Sequence, residues 1–231
     1  MIDTSSTVLA VIPARGGSKG IPKKNLAQVH GQPLLWWTIE AVKAATEKLF
    51  LVVTTDDSEI AKFAGSMGAL VVDRPAELAT DTSPTEDAVM HVLDTLSPTK
   101  AFEAVMLLQA TSPVRWPGTL DRALSQYWSS GVDSLVGVVS SSPFIWHGPQ
   151  NNASAYYDVN ARPRRQDLVD ADLTYRECGS LYVTRTESFR ATNNRISGKL
   201  GLLVLESEEG IDIDTAYDLK QAEQILSSFY A

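Results

Sequence analysis

Val8-Leu9-Ala10-Val11-Ile12, followed at once by Pro13-Ala14-Arg15-Gly16-Gly17-Ser18-Lys19-Gly20-Ile21-Pro22-Lys23-Lys24-Asn25, is the stretch that decides the fold. A short unbroken apolar run reads as a strand buried on both faces. The loop behind it holds three glycines and four cations, Arg15, Lys19, Lys23 and Lys24. Open α/β sheets bind ligands beyond the carboxyl ends of their strands. Glycines let backbone N–H groups approach an anion, and the cations neutralise it, a composition suited to a triphosphate. The loop is neither a Walker A sequence, since Ile21 follows Gly20, nor a dinucleotide fingerprint. A solvated basic turn is the plain alternative, and three glycines make a costly way to build one.

Working outward, strand and helix signals alternate. Leu35, Ile39 and Val42 share one helical face behind Pro33, and Leu49 to Val53 reads as a second strand. Asp56-Asp57-Ser58 caps a helix carrying Ile60, Phe63, Ala64 and Met67, with Gly68 at its end. Strands follow at Ala69–Val72, Ala104–Leu108 and Ser134–Val139, with helices from Thr82-Ser83-Pro84 and over Pro117–Ser129 between them. Such alternation predicts a single α/β domain over 1–231, a three-layer, doubly wound and mainly parallel sheet. The rhythm breaks over residues 141–178, rich in Pro and Asn and carrying Arg162-Pro163-Arg164-Arg165, which reads as a lid-like insertion. It returns at Ser180–Thr184 and Leu202–Glu206 and closes with a helix from about Thr215 to Phe229.

Composition narrows the function classes. The chain has 231 residues, 44% hydrophobic and 21% charged, with a net charge of −8. The acidic balance argues against a nucleic-acid binder. Cys178 is the single cysteine, so an internal disulfide is excluded. No run approaches the roughly 18 apolar residues of a membrane span, and no secretory pattern opens the sequence. A cytoplasmic, membrane-free protein is the expectation. The three histidines show no ligand spacing.

Three further stretches carry chemistry. In Ile211-Asp212-Ile213-Asp214-Thr215, extended backbone would point Asp212 and Asp214 the same way, and two hard oxygen ligands suit Mg²⁺. The plain alternative is that Asp214 caps the last helix. Leu107-Leu108-Gln109-Ala110-Thr111-Ser112-Pro113-Val114-Arg115 ends a strand in polar groups able to read a base or a sugar. Arg74 to Thr85 puts an arginine and several hydroxyls at a helix N-terminus. All these loops follow strands, so they are expected to gather on one sheet edge.

Taken together, these motifs resemble the acylneuraminate cytidylyltransferases (CMP-sialic acid synthetases), including legionaminic and pseudaminic acid members. The likeness runs from about Val8 to Leu226. It rests on Ile12–Ile21 with Lys24-Asn25, Thr54-Thr55-Asp56, Arg74-Pro75-x-x-Leu78-Ala79-x-Asp81, Leu108–Arg115, Arg165-Gln166 and Asp212–Thr215. The resemblance implies a Rossmann-like nucleotidyltransferase fold. It also implies transfer of CMP from CTP to the anomeric hydroxyl of a nonulosonic, nine-carbon acidic sugar, with Mg²⁺. By the same resemblance Arg15, Lys19 and Lys24 lie along the triphosphate. Ala14, Gly16, Gly17, Ser18, Asn25, Arg74 and Thr85 bind the nucleotide, and Gln109, Thr111, Ser112, Arg165 and Arg176 bind the sugar. Asp212 and Asp214 hold the metal, with Asp214 counted among the catalytic groups.

The likeness also implies a homodimer, its subunits exchanging the 141–178 segment, where Phe144, Ile145, Trp146, Tyr156 and Tyr157 are expected to be exposed. Departures fall on the sugar side. Cys178 stands where an asparagine is expected to contact the sugar, Ala110 replaces a proline, and Asn193-Asn194-Arg195-Ile196 replaces aromatics of an N-acyl pocket. A 3-deoxy-octulosonate cytidylyltransferase and a non-catalytic nucleotide binder are the alternatives.

Overall fold

The computed structural model describes residues 7–18, 20–169 and 173–230, with Arg165 described by its backbone alone. One seven-stranded sheet forms the centre. Its strands are β1 (Val8–Pro13), β2 (Leu49–Thr55), β3 (Leu70–Asp73), β4 (Ala104–Leu107), β5 (Ser134–Ser141), β6 (Thr174–Arg185) and β7 (Leu200–Leu205). They lie in the order β7-β5-β6-β4-β1-β2-β3. All neighbours pair in parallel except β6, which runs antiparallel to both β4 and β5.

Burial on both faces explains the unbroken apolar run at 8–12. Val8, Ala10 and Ile12 join one core with Leu35 and Ile39 of α1 (Leu34–Ala44), Ile60 and Ala64 of α2 (Ser58–Ser66), and Leu120 and Leu124 of α4 (Thr119–Ser130). Leu9 and Val11 point the other way, toward Val89, Val92 and Leu93 of α3 (Thr85–Leu96) and Phe189 of α5 (Thr186–Thr192). Helices therefore cover both faces, as the alternation predicted. The last helix, α6 (Ala216–Phe229), packs Ala222 and Leu226 against Trp37, Val114 and Ile213.

Two local expectations change. The strand placed at Ser180–Thr184 is the second half of β6, which begins at Thr174. Its register slips between Glu177 and Tyr182, an irregularity that hid the first half from a period-of-two reading. Asp214 does not cap α6. Thr215 does, in a reciprocal capping box with Asp218, leaving the Asp214 carboxylate to other partners. Within 141–173 a two-residue ladder joins Trp146-His147 to Ser154-Ala155, and the Arg162 guanidinium lies 4.1 Å from the Phe144 ring centre. No helix among the described residues is long and apolar enough to cross a membrane.

Candidate active site

The strand-end loops do meet. A cleft of about 440 Å³ at the carboxyl edge of the parallel strands is lined by Pro13, Arg15, Ser18, Gly20, Lys24 and Asn25 of the first loop. Arg74 and Thr85, then Gln109, Ala110 and Thr111, and finally Asp214 complete it. Each comes from a different chain crossing.

The first loop is held from beneath. Ala14 N–H donates to the Thr54 carbonyl at 3.0 Å, and buried Asn25 donates its amide to the Arg15 carbonyl at 2.9 Å. Gly16 N–H donates to Asp56 Oδ1 at 2.9 Å, and a Cβ on Gly16 would run into the Asp57 side chain at 2.7 Å. Glycine is needed there because Asp57, the cap of α2, comes too close. The C-terminal loop is fastened just as closely. Ile213 N–H donates to the Thr111 carbonyl at 2.8 Å, Ile213 is fully buried, and Asp212 and Asp214 stand exposed on either side of it.

Three cations ring the cleft, two of them ion-paired and the third, Arg74, without a contacting acid among the described residues. Arg15 donates to Asp81 Oδ1 at 2.9 Å and to the Thr80 carbonyl at 2.7 Å. Lys24 reaches Asp214 Oδ1 at 3.0 Å. Arg74 is buried, donates to the Thr54 carbonyl at 2.6 Å, and leaves its Nε without a partner. Burial lowers the Arg74 pKa to about 10; nearby Asp56 opposes this and Arg15 adds to it. A buried guanidinium with an idle donor beside a second cation is a site that an anion would complete. Lys23, by contrast, turns away to Glu59 at 2.7 Å.

The remaining expected residues divide. Gly17 is exposed on the first loop. Lys19 lies outside the described residues, as does the side chain of Arg165. Ser112 is fully buried beneath the Gln109 loop, and its hydroxyl finds no partner. Arg176 donates to the Gly210 carbonyl at 3.1 Å and is not among the cleft-lining residues; nor is Asp212. Cys178 turns into the core, its thiol against the Gly137 carbonyl at 3.4 Å, and burial pushes its pKa up. Asn193 and Arg195 bind Asp87 and Glu86 of α3 rather than lining the cleft. The sequence offered Asp56 only as part of a helix cap, a place that Asp57 takes, and assigned nothing to Arg115, although Arg115 stood inside a quoted motif. The actual contact of Asp56, accepting from the Gly16 N–H, joins the first loop to the end of the second strand.

A second cavity of about 400 Å³ lies on the outer side of α1, lined by Trp36, Trp37, Trp116 and Tyr230 among others. It shares no residue with the cationic cleft.

The fold and cleft together define a nucleotide-binding α/β protein of the nucleotidyltransferase kind. The chain belongs to the cytidylyltransferase family, whose model, described as Cytidylyltransferase, matches residues 9–160. It is 34% identical over 228 residues to the N-acylneuraminate cytidylyltransferase of Oncorhynchus mykiss, covering 96% of this chain and 51% of that protein. It is also 34% identical over 229 residues to the CMP-N,N'-diacetyllegionaminic acid synthase of Legionella pneumophila, covering 95% of this chain and 96% of that protein. The chain spans about half the length of the first curated relatives it matches. Among solved structures, it superposes on a CMP:2-keto-3-deoxy-manno-octonic acid synthetase complexed with CTP. The TM-score is 0.71 at 17% identity, covering 97% of this chain and 100% of that one, a likeness of fold.

Proposed function

We propose that this chain transfers CMP from CTP to the anomeric hydroxyl of a nonulosonic acid, releasing pyrophosphate. One observation carries the reading: Arg15, Arg74 and Lys24 converge with Gln109 and Asp214 in a single cleft. The hydroxyl oxygen would attack the α-phosphorus. The bond from that phosphorus to the β-phosphate oxygen would break, and the hydroxyl proton would leave. Such transfer depends on positioning and charge neutralisation rather than on a covalent protein intermediate. Two anions must come together, and clustered cations on a protein of net charge −8 answer that need.

Mg²⁺ is part of the proposal. The donor set fits, since Asp212 and Asp214 offer hard oxygens. Among the described residues no cluster of three or more His, Cys, Asp or Glu could hold a metal, so the ion would complete its shell with phosphate oxygens and water. When bound, it would polarise the α-phosphate and favour the deprotonated nucleophile. We also infer a homodimer formed through the 141–178 segment, supported by the exposure of Trp146 and Tyr156, 55% and 69%. Light scattering tests it, and a monomer removes it. We infer a cytoplasmic setting, the simple reading of a chain with one cysteine and no apolar run of membrane-spanning length.

The deciding experiment is a pyrophosphate-release assay with CTP against N-acetylneuraminic acid, N,N'-diacetyllegionaminic acid and 3-deoxy-octulosonate. Turnover with a nine-carbon acid is expected. Turnover with octulosonate alone, or with none of the three, would overturn the proposal.

A further inference from the structure

Arg115 is only 6% exposed and lies outside the catalytic cleft, on the wall of the aromatic cavity beside α1. Among the described residues no carboxylate lies within ion-pair distance of it. Its donors go instead to three separate parts of the chain. Nε and Nη2 both donate to the Ser180 carbonyl, at 3.1 and 2.6 Å. Nη2 also donates to the Gln109 carbonyl at 2.8 Å, and Nη1 to the hydroxyl of buried Thr38 on α1 at 2.9 Å. Ser180 sits where the register of β6 slips, and the residue before it, Gly179, lies against the Gln109 side chain. A Cβ built on Gly179 would fall 1.8 Å from Gln109 Oε1. Arg115 therefore holds Gln109 through its carbonyl, and the Gln109 side chain packs against the glycine next to the Ser180 carbonyl that Arg115 also holds.

Glu209 and Asp212 favour the Arg115 charge only from beyond contact distance, and a charge buried without a contacting acid is expensive, so a structural filler would be apolar. A planar fork spreads its donors over three nitrogens and so reaches two divergent carbonyls and a hydroxyl at once, whereas lysine's three donors radiate from one atom. We propose that Arg115 is a positioning residue that fixes Gln109 and the Gly179–Ser180 backbone as one rigid wall on the sugar side of the cleft. The inference rests on the cytidylyltransferase reading above.

The test compares R115K and T38V with the unaltered protein, measuring KM for CTP and for the best nonulosonic acid separately. R115K should raise KM for the sugar roughly tenfold to a hundredfold, the usual cost of a misplaced positioning group, and leave KM for CTP within about twofold. T38V, which removes one anchor only, should shift the sugar KM less and in the same direction. Unchanged sugar binding in both variants, or equal rises for both substrates, overturns the inference. If R115K fails to fold, T38V decides alone. If the unaltered protein turns over no acidic sugar, the functional reading falls and takes this inference with it. Activity with unshifted variants removes the inference and leaves the reading standing.

Discussion

Lys24 Nζ and Asp214 Oδ1 stand 3.0 Å apart across 190 positions of chain, and the same ammonium donates to the Ile213 carbonyl at 2.7 Å. The first basic loop and the last acidic segment are thus one surface. Lys24 is largely covered, its side chain 15% exposed, whereas Asp214 is open at 77%. An open carboxylate held at one oxygen can still serve a ligand with the other. D214N should lower turnover by roughly a hundredfold or more, typical of losing an electrostatic group at a reacting centre, with the fold intact. Pyrophosphate release and circular dichroism measure the two halves, and near-normal turnover removes Asp214 from the machinery.

Gly20 makes the same junction in backbone form. A Cβ there would stand 2.3 Å from the Asp214 carbonyl oxygen, which has no flexible side chain to yield. G20A should cost about 1–3 kcal/mol, the usual range for overpacking, and weaken CTP binding because the first loop must lift. A denaturant midpoint and a CTP titration equal to those of the unaltered protein would show the contact to be slack.

Gly179 is a softer case. The atom its Cβ would strike is the end of the Gln109 side chain, which can swing aside, although Ser112 Oγ at 3.3 Å leaves little room. G179A should therefore leave the melting temperature within a few degrees and raise the sugar KM, while CTP binding holds. Loss of CTP binding at unchanged sugar affinity would reverse the assignment of this wall.

Glu86 and Arg195 form a covered ion pair, N to O 2.5 Å, with side chains 16% and 18% exposed. Burial alone would raise the Glu86 pKa, but hydrogen bonds from Arg195 and the backbone hold it below the ordinary carboxylate value. A depressed carboxylate stabilises the fold above its unfolded pKa of about 4.3 and loses that contribution as pH falls through the lower folded value. E86Q should then be about 1–3 kcal/mol less stable than the unaltered protein at neutral pH. The gap should close below about pH 4. Urea unfolding across that range checks it, and a gap independent of pH would deny the linkage.

Much of the architecture was legible because burial writes itself into the sequence. Val8 to Ile12 is apolar throughout since its side chains feed two cores in turn, and Ile60 and Ala64 repeat at helical spacing since α2 buries one face. The gathering of Arg15, Lys24, Arg74, Gln109 and Asp214 followed from placing loops after parallel strands. The first half of β6 was not legible. Arg176 and Glu177 are exposed, and the register slip interrupts the alternation. Arg115 was invisible for another reason: an arginine in a loop reads as a surface charge, and only coordinates show a cation satisfied by carbonyls. Cys178 reads from the sequence as an inert small residue near the site, and its thiol is indeed buried in the core.

β6 runs against its neighbours, and that direction has a mechanical result. It starts at Thr174, inside the 141–178 insertion, and enters the sheet through the pocket edge, with Gly179–Ser180 partway along. From Thr174 onward, strand and proposed sugar-side wall are consecutive lengths of one chain segment. In the proposed dimer, a pull on the segment leading into Thr174 would travel along this strand to the place where Gln109 rests, so the proposed subunit contact and the proposed sugar wall would share a single tiller.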